Sequence, residues 1–384
     1  MKGRLLARLS LGPTGGTLRA GVRRFLACLL LALPAAWVAG DASVDYPAVV
    51  PGQPIEFPRD EGSHPDYRTE WWYVTGWVET QDGHPLGFQV TFFRFRPGSG
   101  KDNPSRFAAR QLLFAHAAVS DPRRGRLVHE EKSARAGFGL AEAAQGRLDV
   151  RIDDWVLRQQ GEGYQASVQT KSLGIDLVFM PTQPPMLQGE QGYSRKGPAD
   201  TSASYYYSLP QLRAQGRIVI AGREHRVSGQ AWFDHEWSSA LMDAPARGWD
   251  WVGLNLEDGG ALMISRMRDA RGRTYWAAGS QRDAGASTPV AYAANQIDWT
   301  PVRHWRSGRT GIRYPVEWRV RAGEYRLRLR PLMDDQENDS RGSTGTIYWE
   351  GAVRAFDEQG RLVGRGYLEL TGYGERIRLQ GRAR

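Results

Sequence analysis

The sequence predicts an all-β protein whose strands form two consecutive antiparallel halves, and three observations lead to that class. The 384 residues include 14 tryptophans and 45 glycines, residue types that favour pleated, half-buried surfaces and tight turns respectively. Residues 70–78 and 87–94 are aromatic and β-branched runs joined across Asp82-Gly83, the dipeptide a two-residue hairpin favours. Beyond the first 40 residues, no segment carries a long 3.6-residue periodicity. With 41% hydrophobic and 24% charged residues, the chain belongs to the globular class.

Residues 1–40 read as an export leader. Arg23-Arg24 precede an apolar run from Phe25 to Val38, and Ala39-Gly40 supply small residues for cleavage. That run is shorter than the roughly 20 residues a membrane-spanning helix needs. A cleaved leader predicts a periplasmic or secreted protein. The formal charge is +9, but Lys2, Arg4, Arg8, Arg19, Arg23 and Arg24 all lie in the leader, which holds no acid. The remainder is of mixed sign, without the basic stripe that nucleic acid requires, so no nucleic-acid partner is expected. The single cysteine, Cys28, also lies in the leader. The mature chain therefore has no thiol nucleophile, no thiolate metal site and no disulfide-linked partner.

A proline-rich lead-in (Pro47, Pro51, Pro54, Pro58) precedes the hairpin, and further strand-like runs follow at 112–120, 164–170 and 173–180. Residues 181–204, rich in proline and glycine, form a long loop, expected to be functional or to connect domains. Strand patterns resume at 218–221, 227–237, 249–256, 261–267, 318–320, 325–329, 347–355 and 366–370, with hairpin turns at Asp258-Gly259 and Gln359-Gly360. The acidic, polar segment 334–345 is expected to be a flexible loop. A faint internal echo links the halves, since Trp72 leads to the turn glycine Gly83 much as Trp249 leads to Gly259.

Ionisable residues recur within these apolar strands. On the strand 230–237, Gln230, Trp232, Asp234 and Glu236 share one face, and Ala231, Phe233, His235 and Trp237 share the other. Burying a carboxylate is costly unless it is paired, and apolar walls raise its pKa toward that of a proton donor near neutral pH. Glu70 shares a face with Trp72 and Val74, Asp250 alternates with Val252 and Leu254 on the expected inner face, and His116 accompanies Leu112 and Phe114. The accumulation of acids and imidazoles on such faces points to a functional cavity. Familiar hydrolase signatures are missing. Ser239 stands where a zinc-protease motif beginning at His235-Glu236 needs its second histidine, and Gly192-Tyr193-Ser194-Arg195-Lys196 breaks the nucleophile elbow at its last position. His64, Glu70, His116 and His235 carry ligand atoms but lack close ligand spacing, so no metal and no cofactor is expected.

These stretches resemble a family of secreted lipocalin-like proteins, grouped with carotenoid 1,2-hydratase (hydroxyneurosporene synthase) and with AttH-type proteins associated with transporters. The resemblance rests on Phe57-Pro58-Arg59-Asp60, His64-Pro65-Asp66, Thr69-Glu70-Trp71-Trp72-Tyr73-Val74-Thr75-Gly76, Ser204-Tyr205-Tyr206-Tyr207-Ser208, Trp232-Phe233-Asp234-His235-Glu236-Trp237-Ser238 and Gly248-Trp249-Asp250-Trp251. It departs at Glu61, where the family pattern leads one to expect histidine. It implies two consecutive lipocalin-like antiparallel β-barrel domains, at 41–210 and 211–384, each able to enclose a small ligand.

The expected function is acid–base chemistry, of hydratase or hydrolase type, on an apolar isoprenoid- or lipid-like substrate. Asp234, His235 or Glu236 would donate the proton, and Asp250 or Glu70 would orient water. Substrate contacts are expected from His64, Trp71, Trp72, Tyr73, His116, Tyr206, Trp232, Trp237, Trp249 and Trp251. The competing expectation is a non-catalytic periplasmic lipid-binding protein whose partner is an ABC-type export system.

Overall fold

The computed structural model describes residues 46–98 and 103–376. The leader and Cys28 lie outside the described residues. Among the described residues the helical elements are two short 3-10 turns, Arg59–Glu61 and Ala294–Gln296, and no helix is long and apolar enough to cross a membrane.

The first sheet contains β1 (Thr69–Thr80), β2 (Pro85–Phe95), β3 (Leu112–Ser120), β4 (Val128–Arg135), β5 (Ala141–Ala143), β6 (Asp149–Ile152), β7 (Trp155–Gln160), β8 (Gly163–Gln169), β9 (Leu173–Met180), β10 (Met186–Leu187), β11 (Tyr193–Arg195), β12 (Ala203–Ile220) and β13 (Arg223–Ser238). Its order is β4-β3-β2-β1-β13-β12-β9-β8-β7-β6-β5, every pairing is antiparallel, and β4 at one edge approaches β6 near the other, so the sheet curls into a nearly closed barrel.

The second sheet contains β14 (Gly248–Leu256), β15 (Ala261–Arg268), β16 (Thr274–Arg282), β17 (Val290–Tyr292), β18 (Ile297–Arg306), β19 (Arg313–Ala322), β20 (Tyr325–Pro331), β21 (Glu337–Ser340), β22 (Thr346–Phe356) and β23 (Leu362–Leu370). It runs β17-β16-β15-β14-β23-β22-β20-β19-β18, again antiparallel.

The all-β, two-sheet architecture is as expected, but the changeover between sheets falls elsewhere. A division at 210/211 would cut β12, whose partner β13 pairs with β1 from Thr69↔Ser238 to Thr80↔Val227. The first sheet needs this long hairpin to close, so the chain passes to the second sheet only between Ser238 and Gly248. Residues 181–204 do not connect the halves. They carry β10 and β11, both paired with β12. Segment 334–345 is likewise built in: it contains β21, and Gln336, Glu337, Asn338 and Ser340 are buried. Its polar side chains have partners, including Ser307 and Thr310, each 2.7 Å from Glu337.

Strand alternation distributes the apolar residues over three regions. Trp72, Val74, Phe88, Val90, Phe233 and Trp237 fill the first barrel. Val252, Leu254, Trp318, Trp349 and Leu368 fill the second. Between the sheets, the outer faces of β1, β12 and β13 meet those of β14, β22 and β23 through Tyr73, Trp77, Tyr206, Trp232, Trp251 and Tyr367. The approach is close. A Cβ on Gly87 of β2 would stand 2.6 Å from that of Ala352 in β22.

Candidate functional site

One end of the first barrel gathers the start of β1, the end of β2 and the end of β13. The segment 57–64 lies across it, held by the Ser63 amide to the Ala144 carbonyl (2.7 Å) and by Tyr164 Oη to Glu61 Oε1 (2.9 Å). Beneath it, Glu70 Oε1 is shared by His64 Nδ1 at 2.7 Å and His235 Nε2 at 2.9 Å. Arg94, opposite Glu70 on β2, approaches Oε2 at 2.7 Å. The second nitrogen of each imidazole also has a neighbour. His64 Nε2 lies 3.3 Å from Asp60 Oδ1, and His235 Nδ1 lies 3.3 Å from Tyr207 Oη. Trp237 stacks on the His64 ring at 3.8 Å and 5°, and Trp72 stacks on His235 at 4.9 Å.

This packing separates the titrations of the two histidines. Burial alone would raise the Glu70 carboxyl, but Arg94, His235 and His64 hold it well below the usual carboxylate range. Burial likewise opposes charge on His64, yet Asp60 and Glu70 outweigh it and raise its pKa. His235, fully buried, is pushed down by burial despite its bond to Glu70. Asp60 is lowered because His64, Arg59 and the Glu56 amide overcome its burial. The result is a His64 whose charged form is favoured by the two carboxylates beside it, with 17% of its side chain exposed. The ligand atoms of His64, Glu70 and His235 lie within 4.8 Å of one another, a donor set a divalent metal can use. Such an ion would have to displace the imidazole protons beside the fixed Arg94 charge.

The outer face of β13 holds a different arrangement. Asp234 receives Ser208 Oγ at 2.5 Å, Trp232 Nε1 at 2.8 Å and Tyr206 Oη at 3.0 Å, with no cation among its partners. Burial pushes its carboxyl up to about 7 against the pull of those donors. Glu236 pairs with Lys196 at 2.8 Å and accepts from Ser204 Oγ at 2.5 Å. Across the contact, Glu350 stands directly opposite Glu369, and burial together with their mutual repulsion raises Glu350 well above the usual range. Trp249 donates to Glu369 at 2.9 Å, and Trp251 to Tyr206 at 3.1 Å. A cavity of about 10 Å³ adjoins Trp77 and Trp232, room for one water.

Inside the second barrel, Asp250 is held by Arg266 at 2.7 Å, Arg268 at 3.0 Å and Tyr373 Oη at 3.0 Å. The two guanidiniums lie over the rings of Trp318 and Tyr373.

Comparison with known proteins places this geometry in a family. The AttH-like family profile matches residues 48–373. The chain belongs to the AttH-like family. A crystal structure of a Nitrosomonas europaea protein given the AttH name is 47% identical, covers 85% of this chain and 99% of that one, and superposes with a TM-score of 0.80. Kievitone hydratase from Nectria haematococca is 12% identical over 85% of this chain and 96% of its own, with a TM-score of 0.64. CghA is 13% identical over 86% and 96%, with a TM-score of 0.50. At those two identities the likeness is of fold alone. No curated protein sequence matches the chain.

In this AttH-like chain the expected catalytic residues do not share one space. His235 and Glu70 meet inside the first barrel with His64, Trp72 and Trp237. Asp234 and Glu236 lie on the opposite face of β13, with Trp71, Tyr73, Tyr206, Trp232, Trp249 and Trp251 along the contact between sheets. Asp250 lies inside the second barrel. Period-2 alternation sends neighbouring residues to opposite faces, so the adjacent acids and imidazole of the 234–236 run must diverge. Neither Glu70 nor Asp250 is free to orient water, because arginines hold both. His116 does not join the imidazole cluster. It faces the second sheet, 2.8 Å from Tyr348 Oη and 2.9 Å from Ser343 Oγ, and burial pushes it down to about 3. Sequence reasoning did not single out Asp60, Arg94, Tyr207, Glu350 or Glu369. Hairpin register sets Arg94 opposite Glu70 through a three-residue loop, 81–83, between Thr80 and His84; the two-residue turn expected at Asp82-Gly83 would have placed Phe95 there instead.

Proposed function

We propose that this AttH-like chain performs acid–base chemistry on an apolar, isoprenoid- or lipid-like molecule at the end of the first barrel crossed by segment 57–64, with His64 exchanging the proton. The observation that carries this reading is the His64 ring itself. It is clamped between Asp60 and Glu70, stacked on Trp237 and partly exposed. Nδ1 is committed to Glu70, so Nε2 is the exchanging atom. In a hydration, the Nε2 proton would pass to one alkene carbon and water would add to the other. The proton released by that water would return to Nε2. Proton transfer would contribute about 10²–10⁴-fold. Likeness of fold to a hydratase supports a reaction of this class. The leader adds export to the periplasm or beyond.

The test incubates purified protein with a panel of polyprenyl alkenes and measures, by mass spectrometry, products heavier by one water. Wild type should form such a product, His64→Gln at least a hundredfold less, and Asp234→Asn close to the wild-type amount. Equal turnover by His64→Gln would overturn the assignment. The competing reading is a lipid carrier serving an ABC-type exporter. It is favoured by a groove of about 360 Å³ beside Arg110, Gln111 and Phe138, outside the proton-exchanging cluster. Lipid that co-purifies with the protein but is never transformed would select it.

A further inference from the structure

The rim of the same barrel end carries an unusual surface. Phe107 is 71% exposed and Phe138 56%, and their rings stack at 5.5 Å and 7°. Leu140, 47% exposed, follows two residues later. The Arg135 guanidinium lies 4.3 Å over Phe138 and 5.4 Å over Phe107. Phe138 sits at a hairpin tip where Gly137, Phe138 and Gly139 have φ of 93°, 57° and 76°. Left-handed backbone is uncommon for a bulky residue. Here it displays a phenyl ring to solvent on a turn closed by the Gly137 amide to the Ala141 carbonyl at 2.9 Å.

Charge surrounds this tip on one side. Among the described residues Arg106, Arg110 and Arg135 have no carboxylate partner, whereas nearby Arg151 pairs with Glu142 and Lys132 with Asp153 and Asp154. The adjoining groove shares Gln111 with the buried site. Gln111 accepts from Arg94 at 2.8 Å and donates to the Pro65 carbonyl at 2.9 Å.

We infer that this rim docks the chain on a bilayer carrying anionic lipid. Phe107, Phe138 and Leu140 enter the boundary between headgroups and acyl chains, and Arg106, Arg110 and Arg135 meet lipid phosphates. An apolar tip flanked on one side by Arg106, Arg110 and Arg135, which have no carboxylate partner among the described residues, complements that surface. A protruding turn offers little of the roughly 800 Å² a protein partner would cover on each side. The inference rests on the proposed function and extends it, since docking here brings an apolar guest from the leaflet to the end of the barrel that holds His64.

The test is flotation of the full chain with vesicles of phosphatidylcholine alone or mixed with phosphatidylglycerol. Binding should require phosphatidylglycerol and weaken as salt rises. Each arginine contributes about fivefold, so Arg106→Gln/Arg110→Gln/Arg135→Gln should bind about a hundredfold more weakly. Phe107→Ser/Phe138→Ser should also lose binding, with unfolding midpoints unchanged. An environment-sensitive dye on Phe138→Cys, in a chain whose Cys28 is replaced by serine, should shift to the blue on anionic vesicles. The inference is overturned if neither vesicle is bound, if binding survives the phenylalanine substitutions, or if a protein partner is retained by this surface without vesicle binding. His64→Gln should float like wild type. Loss of its turnover alone therefore bears on the proposed chemistry, and loss of flotation with turnover intact bears on docking alone.

Discussion

Each barrel opens with a strand that points a carboxylate inward, toward an arginine directly opposite on the next strand: Glu70 with Arg94 in the first, Asp250 with Arg266 in the second. The surroundings then diverge. Around Glu70 the remaining partners are two imidazoles and, through His64, a second carboxylate. Around Asp250 they are another arginine and a phenol. One corner thus holds two imidazoles, and the other is completed by a second guanidinium and a phenol. A shared frame carries imidazoles in one barrel and an arginine-bound ion cluster in the other. Asp234 adds a third solution. It has no cation, and burial raises its carboxyl against the pull of its hydroxyl and indole donors.

The largest effect expected from this comparison is in stability. Asp250→Asn strands two buried guanidiniums and should cost about 3–5 kcal/mol in urea unfolding at pH 7, with Arg94→Met near the lower end because His64 still faces Glu70. Costs below 1 kcal/mol for both would break the picture of paired corners. Next is Asp234→Asn. The native Asp234 holds its proton more tightly than the unfolded chain, so its contribution is complete below the ordinary 3.8 and lost as pH climbs to about 7. Wild type should lose about 1.4 kcal/mol per pH unit against the variant across that window, and parallel stability curves would show Asp234 to be ionised.

A smaller effect, roughly 1.5 kcal/mol, is expected for His64→Gln. Because His64 is raised above 6.5, the wild-type advantage should be full below that pH and fade as pH rises through the raised value. Imidazole NMR should find His64 charged where His235 and His116 are neutral, and matching titrations would remove the distinction between them. Smallest is Arg361→Ala, an exposed pair with Asp357, which should stay within about 0.5 kcal/mol.

Much of this was legible where local rules govern. Alternation along the 230–237 run separates Asp234 from His235, and the three Gly-containing turns predict their hairpins. The same turns carried more than was read from them. The loop 257–259 between Leu256 and Gly260 sets Asp250 opposite Arg266, so the ion cluster follows from hairpin register, whereas Glu350 meets Glu369 only through a bulge at Ala355-Phe356 that shifts the register set by the Gln359-Gly360 turn. What local rules could not supply is sequence-remote. The pairing of β13 with β1 joins residues about 160 positions apart, and it alone brings His235 to Glu70. The side on which Tyr348 meets His116 depends on how the two sheets pack, which neither strand encodes by itself.

The aromatic and acidic layer between the sheets has a consequence for separating the two halves. Neither half possesses a finished exterior of its own, because the wall that one would show to water is the wall on which the other rests. Either half alone would lay bare these indoles, and its acids, raised only by burial, would ionise. What lies within each barrel differs, as the Glu70 and Asp250 corners show, while the seam belongs to both.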